Sequence, residues 1–137
     1  MELSLGKIRD IYEVIMPISN KKLPIKLSYI ISKNLSVLEK EASIIDDNRI
    51  KLAQTYADKD DNGEPKTDNG VYCFSDKNKV AFTNELNDYY QTKIDIAICK
   101  AGIKELDKLE DPRYDALTPS EIAALDFMLE DDQKTEN

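Results

Sequence analysis

Apolar residues recur at steps of three, four or seven along residues 24–56. The row consists of Leu27, Ile31, Leu35, Leu38, Ala42, Ile45, Leu52 and Tyr56, with Arg49 as its one polar residue, and Ile30, Val37 and Ile44 widen it. This spacing predicts one face of an α-helix over 24–56, with Pro24 in the first turn and a length of about 50 Å. A helix of that length needs a partner along its side, either in this chain or in a second copy.

Shorter helical segments flank this long helix. Residues 5–16 show helical spacing, with Ser4 as the cap and Pro17 as the end, because proline lacks the N–H that a further turn needs. Residues 77–91 form another helix. Near residues 103–109, the spacing of leucine and isoleucine indicates a turn or a short helix. We expect helix 24–56 to lie against helices 5–16 and 77–91.

The last helix has a clear start signal. Thr118 and Glu121 have the spacing of a capping box, and Pro119 occupies the first helical position. The apolar residues that follow are predicted to face the core or lie near it; they are Ile122, Leu125, Phe127, Met128 and Leu129. Residues 130–137 are predicted to form an acidic disordered tail.

Two short strands are predicted between the helices. Residues 71–74 follow a polar loop, 57–70, which contains the turn pairs Asn62-Gly63 and Asn69-Gly70, and residues 93–99 alternate apolar and polar. We expect these two strands to pair. The predicted fold is mainly α with a minor β element (α+β): a long helical hairpin or small bundle with a short two-stranded antiparallel sheet. Residues 1–129 would form a single helical domain.

Charge is unevenly distributed along the chain. The net charge is -8, made up of +2 over residues 1–57 and -10 over residues 58–137. A net acidic chain lacks the electrostatic footprint of a general nucleic-acid binder, so no direct nucleic-acid binding is expected. With no apolar run of membrane-spanning length and no signal peptide, we expect a cytoplasmic location, where Cys73 and Cys99 would be buried, reduced thiols.

The residue types needed for most enzyme chemistry are missing from the sequence. The chain has no histidine, which excludes serine or cysteine triads with histidine and histidine metal sites. It also has no glycine-rich phosphate loop and no nucleophile elbow. Paired carboxylates occur only in polar contexts, where solvated charge is the simpler interpretation. We therefore expect neither an enzyme nor a bound cofactor.

The stretch from Asp58 to Gly63 resembles the first half of a calcium loop. Asp58, Asp60 and Asn62 stand at the first, third and fifth positions, and Gly63 at the sixth. The match then fails, because the twelfth position is Asn69, which cannot close the site as a bidentate carboxylate. These three residues are weak metal candidates, and an acidic hairpin loop is the favoured interpretation.

A basic stripe runs along the start of the long helix. Lys22, Lys26 and Lys33 lie on or near one side of it, with Tyr29 between them, and Lys40 continues the row. These residues are candidates for docking phosphate or an acidic protein. The simpler interpretation is the solvated face of an amphipathic helix, because Glu39 and Glu41 interrupt the positive charge.

Three stretches carry a resemblance to known proteins. They are MELSLGKIRDIYEV followed by KKLPIKLSYIISKNLSVLEKE; KDDNGEP followed by NGVYCF and FTNELNDYYQTKIDI; and LTPSEIAALDFMLED. The arrangement resembles a family of small helical accessory proteins of unknown function, encoded by phages and prophages of Gram-positive and gut bacteria. None of the stretches is a catalytic or ligand signature. The resemblance therefore implies an origin and brings no residue roles.

These observations lead to two main functional hypotheses, and to a third, less favoured one: an enzyme or metal-dependent module that uses carboxylates only and needs a concave pocket with convergent Asp and Glu residues. The first is a phage or prophage accessory protein that acts without catalysis by binding protein, as an assembly or host-interaction factor in the bacterial cytoplasm. Its partner would be a phage or host protein, or a second copy joined through helix 24–56. The alternative is an acidic inhibitor or nucleic-acid mimic directed at a host defence or nucleic-acid enzyme, which would need carboxylates in rows on one face.

Overall fold

The computed structural model describes residues 1–131, and its architecture is mainly helical with a minor β component. The α-helices are α1 (Leu5–Ile18), α2 (Ile25–Tyr56), α3 (Asp76–Gln91) and α4 (Pro119–Leu125), and Ile103–Glu110 and Asp126–Met128 are 3₁₀ segments. The strands are β1 (Glu2–Ser4), β2 (Thr67–Asp68), β3 (Val71–Tyr72), β4 (Lys93–Asp95), β5 (Ala101–Gly102) and β6 (Leu129–Glu130). The predicted fold class is confirmed.

Helices α1 and α3 both pack against the long helix α2, as predicted. The buried residues of α2 are Leu27, Ile31, Asn34, Leu38, Ala42, Ile45 and Ala53. Leu27, Ile31, Leu38 and Ile45 join the buried isoleucines of α1 and the C-terminal residues Leu125 and Met128 in one cluster. Pro24 is the residue before the helix and not part of its first turn, because its ψ of 143° is extended.

Helix α1 starts as predicted but ends later than predicted. The Ser4 side chain accepts a hydrogen bond from the Lys7 backbone N–H at 3.1 Å. Pro17 does not end the helix, because α1 continues to Ile18. A proline in the last turn of a helix costs that helix one N–H hydrogen bond, and the turn can still form. The Ile18 side chain is only 1% exposed, so core packing holds this last turn in place.

The predicted pairing of segments 71–74 and 93–99 is wrong. Strand β3 pairs with β2 in an antiparallel hairpin, while β4 pairs antiparallel with β1 at the N-terminus. The hairpin turn is Asn69-Gly70, where both residues have positive φ, 51° and 81°. A two-residue turn of this kind joins adjacent strands, so β3 finds its partner locally and β4 is left free to pair with β1.

The C-terminal segment begins with the predicted capping box. Thr118 Oγ1 accepts from the Glu121 N–H, and Glu121 Oε1 accepts from the Thr118 N–H. Leu125 and Met128 are fully buried, whereas Ile122 is exposed, contrary to the prediction that it faces the core. Because α4 contacts the molecule on one side through α1, Ile122 lies on its outer side.

Strand β6 follows and pairs in parallel with β5. Glu130, predicted to start the tail, therefore lies in a strand. Residues 132–137, the remainder of the predicted tail, lie outside the described residues.

Candidate functional site

A groove lies between the start of α2 and the segment that contains β5. Its volume is about 430 Å³. One wall consists of Ile25, Lys26, Tyr29 and Ile30, and the other of Lys100, Ala101, Gly102 and Glu105. We call it the lysine groove. Its floor is mostly aliphatic and aromatic, and ammonium groups stand at its edges.

A buried asparagine positions the second wall. Asn34 is only 1% exposed. Its Nδ2 donates to the Cys99 carbonyl at 2.9 Å, and its Oδ1 accepts from the Cys99 N–H at 2.8 Å. These two hydrogen bonds have the donor-and-acceptor pattern of a residue pair in a β-sheet. They hold the segment just before Lys100 against α2. The Lys100 ammonium in turn donates to the carbonyl oxygen of Phe127.

The predicted partner-binding residues are placed unequally around this groove. Lys26 and Tyr29 line it, and Lys33 Nζ lies 5.7 Å from the centre of the Tyr29 ring. Lys22 does not line it. The Lys22 backbone N–H instead donates to Asp115 Oδ2 at 2.7 Å, which anchors the segment before α2.

Sequence reasoning missed the second wall of the groove. Lys100, the Ala101–Gly102 strand and Glu105 carry no motif and stand about seventy positions from the first wall. Asn34 was missed as well, although it falls three residues after Ile31 and four before Leu38, on the buried face of α2. That spacing was the only signal available.

The candidate calcium loop is held together by its own hydrogen bonds. Asp60 Oδ1 accepts from the N–H groups of Asn62 and Glu64 at 2.8 and 3.0 Å. Asp58 Oδ1 accepts from the Ser75 N–H and from Asn78 Nδ2, both at 3.0 Å. Among residues 1–131, no group of three or more Cys, Asp or Glu side chains comes together in a way that could hold a metal ion. The metal role of Asp58, Asp60 and Asn62 stays a prediction, and the two carboxylates hold the loop and the start of α3 through these hydrogen bonds.

Asp58 links the hairpin to the start of α3. Hydrogen bonds from the Ser75 backbone, and then from Asn78, hold the pKa of Asp58 below its ordinary value, with a smaller contribution from the Lys66 charge. Ser75 is also the cap of α3, accepting from the Asn78 N–H. The carboxylate therefore joins the segment before the hairpin to the start of α3.

A second surface of interest is the end of the molecule formed by residues 46–91, which we call the arm. It contains the last part of α2, the β2–β3 hairpin and α3. Helix α3 has no buried residue, and the only buried apolar residues described in the arm are Ala53 and Ala57. Its larger apolar side chains are half-buried; they include Leu52, Tyr56, Phe74, Phe82 and Leu86. Phe74 and Phe82 stack on each other, with ring centres 5.0 Å apart.

The two cysteines are free and half-buried, so they are less enclosed than predicted. None of the helices in the described part of the chain is long and apolar enough to cross a membrane. Comparisons with protein-family models, with curated proteins and with solved structures gave no match. The resemblance to phage and prophage accessory proteins stays a prediction.

Proposed function

We propose that this protein acts without catalysis, by binding protein, as a phage or prophage accessory factor in the bacterial cytoplasm. The observation that carries the proposal concerns the arm. The last part of α2, the hairpin and α3 bury no large apolar side chain there. Apolar side chains left half-exposed along a helical hairpin are typical of an interaction surface. The occupant that we propose for this surface is the arm of a second copy.

The total accessible surface supports a missing partner. The chain exposes 9133 Å². A compact monomer of this mass exposes about 7,200 Å². Residues 132–137 can account for about 1,000 Å² of the difference at most, the area of a fully extended chain of that length. An excess of about 1,000 Å² remains, and a standard interface buries about 800 Å² on each partner.

Helix α2 makes the arm suitable for pairing. Helix α1 has 14 residues and α2 has 32, so α1 covers less than half of the length of α2. The last part of α2 packs on α3, and Gln54 donates a hydrogen bond to the Tyr72 hydroxyl of the hairpin at 3.0 Å. Two arms side by side would form a four-helix arrangement in which Leu52 and Leu86 of each copy become buried.

Light scattering coupled to size exclusion tests the proposal, since the monomer has a mass of 15.6 kDa. We expect twice that mass for the wild type at micromolar concentration. A monomer at every concentration up to the millimolar range would overturn the self-association. Affinity capture from infected and uninfected cells then distinguishes a phage assembly partner from a host protein.

A matched pair of variants locates the interface. Leu52 lies beside Glu85 in a small gap between α2 and α3, so Leu52→Lys gives the monomer a favourable charge pair while it removes apolar contact area. We expect this variant to be monomeric with unchanged helical circular dichroism. Val14→Lys, at an exposed position of α1 outside the arm, should remain dimeric. If both variants stayed dimeric, the interface would lie elsewhere.

The alternative function, an acidic mimic of nucleic acid, has less support. A mimic needs carboxylates that are free to imitate phosphates. At least seven of the twenty carboxylates in residues 58–137 accept hydrogen bonds from this chain itself; they are Asp58, Asp60, Asp95, Glu105, Asp111, Asp115 and Glu121. They serve as turns, caps and ion pairs, so about a third of the carboxylates in this part of the chain already have a structural role.

A further inference from the structure

The lysine groove leaves large apolar side chains open to solvent. Ile25 is 82% exposed, Tyr29 is 60% exposed, and Ile103 at the start of the adjoining 3₁₀ segment is 50% exposed. Ile25 and Tyr29 are one helical turn apart on the same wall. Apolar groups grouped around a concave site mark a place where another molecule binds.

The charge around this groove is opposite to that of the whole chain. Lys26 and Lys100 line the groove and are exposed, and the exposed Lys33 lies beside Tyr29, in a protein whose net charge is -8. The carboxylate at the groove, Glu105, is mostly buried and paired with Lys108 at 2.9 Å, so the exposed charged side chains of the lining are Lys26 and Lys100. Lys100 Nζ donates one hydrogen bond to Phe127, which leaves two N–H groups for a ligand. A ligand that combines negative charge with an apolar side chain complements both features.

We propose that the lysine groove binds an acidic segment of another protein, which inserts one aliphatic or aromatic side chain between Tyr29 and Ala101. Carboxylates on either side of that side chain would pair with Lys26 and Lys100. This inference rests on the proposed protein-binding function but concerns a surface separate from the arm. The groove volume of about 430 Å³ suits one or two side chains.

Two other occupants fit less well. A bilayer surface is flat on the scale of this groove and would leave its concave floor unfilled. The chain's own C-terminal residues 132–137 follow β6, which lies beside β5 at the groove. Their sequence, DQKTEN, contains no aliphatic or aromatic side chain, so it cannot supply the apolar group.

Fluorescence anisotropy with a labelled synthetic peptide tests the proposal. The probe is a 12-residue peptide with glutamates flanking a central leucine–phenylalanine pair, and the comparison peptide has glutamine at every glutamate. We expect the acidic peptide to bind the full-length protein at least tenfold more tightly than the glutamine peptide, and more weakly as salt is raised. Equal binding of both peptides, or no binding of the acidic one, would overturn the inference.

Variants of the full-length protein place the binding at the groove. Tyr29→Ala and Lys26→Glu should each weaken the acidic peptide at least tenfold. Both positions are exposed, and a glutamate in the first turn of α2 is favourable for the helix, so neither variant should unfold. Lys40→Glu, an exposed position of α2 away from the groove, is the matched control and should bind normally.

A vesicle control separates the proposed partner from a membrane. Vesicles of phosphatidylcholine with about one third phosphatidylserine should not bind the wild type at physiological salt. Binding to vesicles that Tyr29→Ala abolishes, without peptide binding, would contradict the proposal. The mass of the dimer reports on the arm alone, so loss of peptide binding with an intact dimer would defeat this inference and leave the proposed function standing.

Discussion

Asn34 shows how one side chain connects the core of this protein to its candidate binding surface. It is the one buried polar side chain among residues 1–131, and both ends of its amide are hydrogen-bonded to the backbone of Cys99. A buried amide is tolerated when its donors and acceptors have partners. Here the partners lie on the segment that leads directly into β5, so the same two bonds satisfy the core and position the groove wall.

Asn34→Leu should lower the free energy of unfolding by about 2–4 kcal/mol, because leucine leaves the N–H and C=O of Cys99 without their partner. Urea denaturation monitored by circular dichroism measures the change. The matched control is Asn48→Ala, at an exposed position of the same helix, which should change stability by less than about 0.5 kcal/mol. A loss below about 1 kcal/mol for Asn34→Leu would mean that water replaces the amide.

At the scale of secondary-structure elements, hydrogen bonds hold the arm together more than buried apolar side chains do. The hairpin is joined to α3 through Asp58, whose carboxylate accepts from Ser75 and Asn78 at the helix start. Those hydrogen bonds are strongest when the carboxyl group is charged, and for this reason they lower the pKa of Asp58 in the folded protein. A lowered folded pKa means that the unfolded chain binds the proton more readily, so protonation favours unfolding.

The Asp58 link should therefore depend on pH in a defined direction. The stability that it contributes is present above the unfolded pKa, about 4, and is lost as the pH falls through the lower folded value. We expect Asp58→Ala to lower the melting temperature at pH 6 and to differ less from the wild type at pH 3. Asp61→Ala, a change at an exposed neighbour in the same loop, is the control and should lower the melting temperature at pH 6 by less than Asp58→Ala does.

On the scale of the whole molecule, the core lies at one end. The buried cluster contains residues of α1, of the first two thirds of α2 and of the C-terminal segment. Along α2 itself, Ala53 is the one buried residue after Ile45. Such asymmetry is expected when a protein completes its packing with a partner. Stability would then depend on association, since binding that favours the folded state raises the free energy of unfolding with concentration.

Thermal unfolding at different concentrations tests this dependence. If two arms pair, a hundredfold increase in protein concentration should raise the melting temperature by about 5 °C. Differential scanning calorimetry at about 5 and 500 µM would measure it. Leu52→Lys, expected to be monomeric, is the control and should melt at the same temperature at both concentrations. A wild-type melting temperature independent of concentration would contradict self-association.

Much of this protein's local structure follows from its sequence alone. The periodic apolar row predicted α2 to within one residue at its start, and Ser4 and Thr118 predicted two helix starts, because helical spacing and capping involve residues only a few positions apart. The turn at Asn69-Gly70 was predicted for the same reason. Each of these features depends on local backbone energetics.

The tertiary structure decided which elements meet. The partner of β4 is the N-terminal strand β1, about ninety positions away. Strand β5 pairs with β6, which comes after helix α4 in the chain. An alternating strand shows which face is buried but not which edge will pair, so the predicted pairing of β3 with β4 was wrong. The lysine groove follows the same rule. Lys26 and Tyr29 belong to a recognisable stripe, whereas Lys100 and Ala101 are brought beside them by tertiary contacts, namely the Asn34–Cys99 hydrogen bonds and the pairing of β5 with β6.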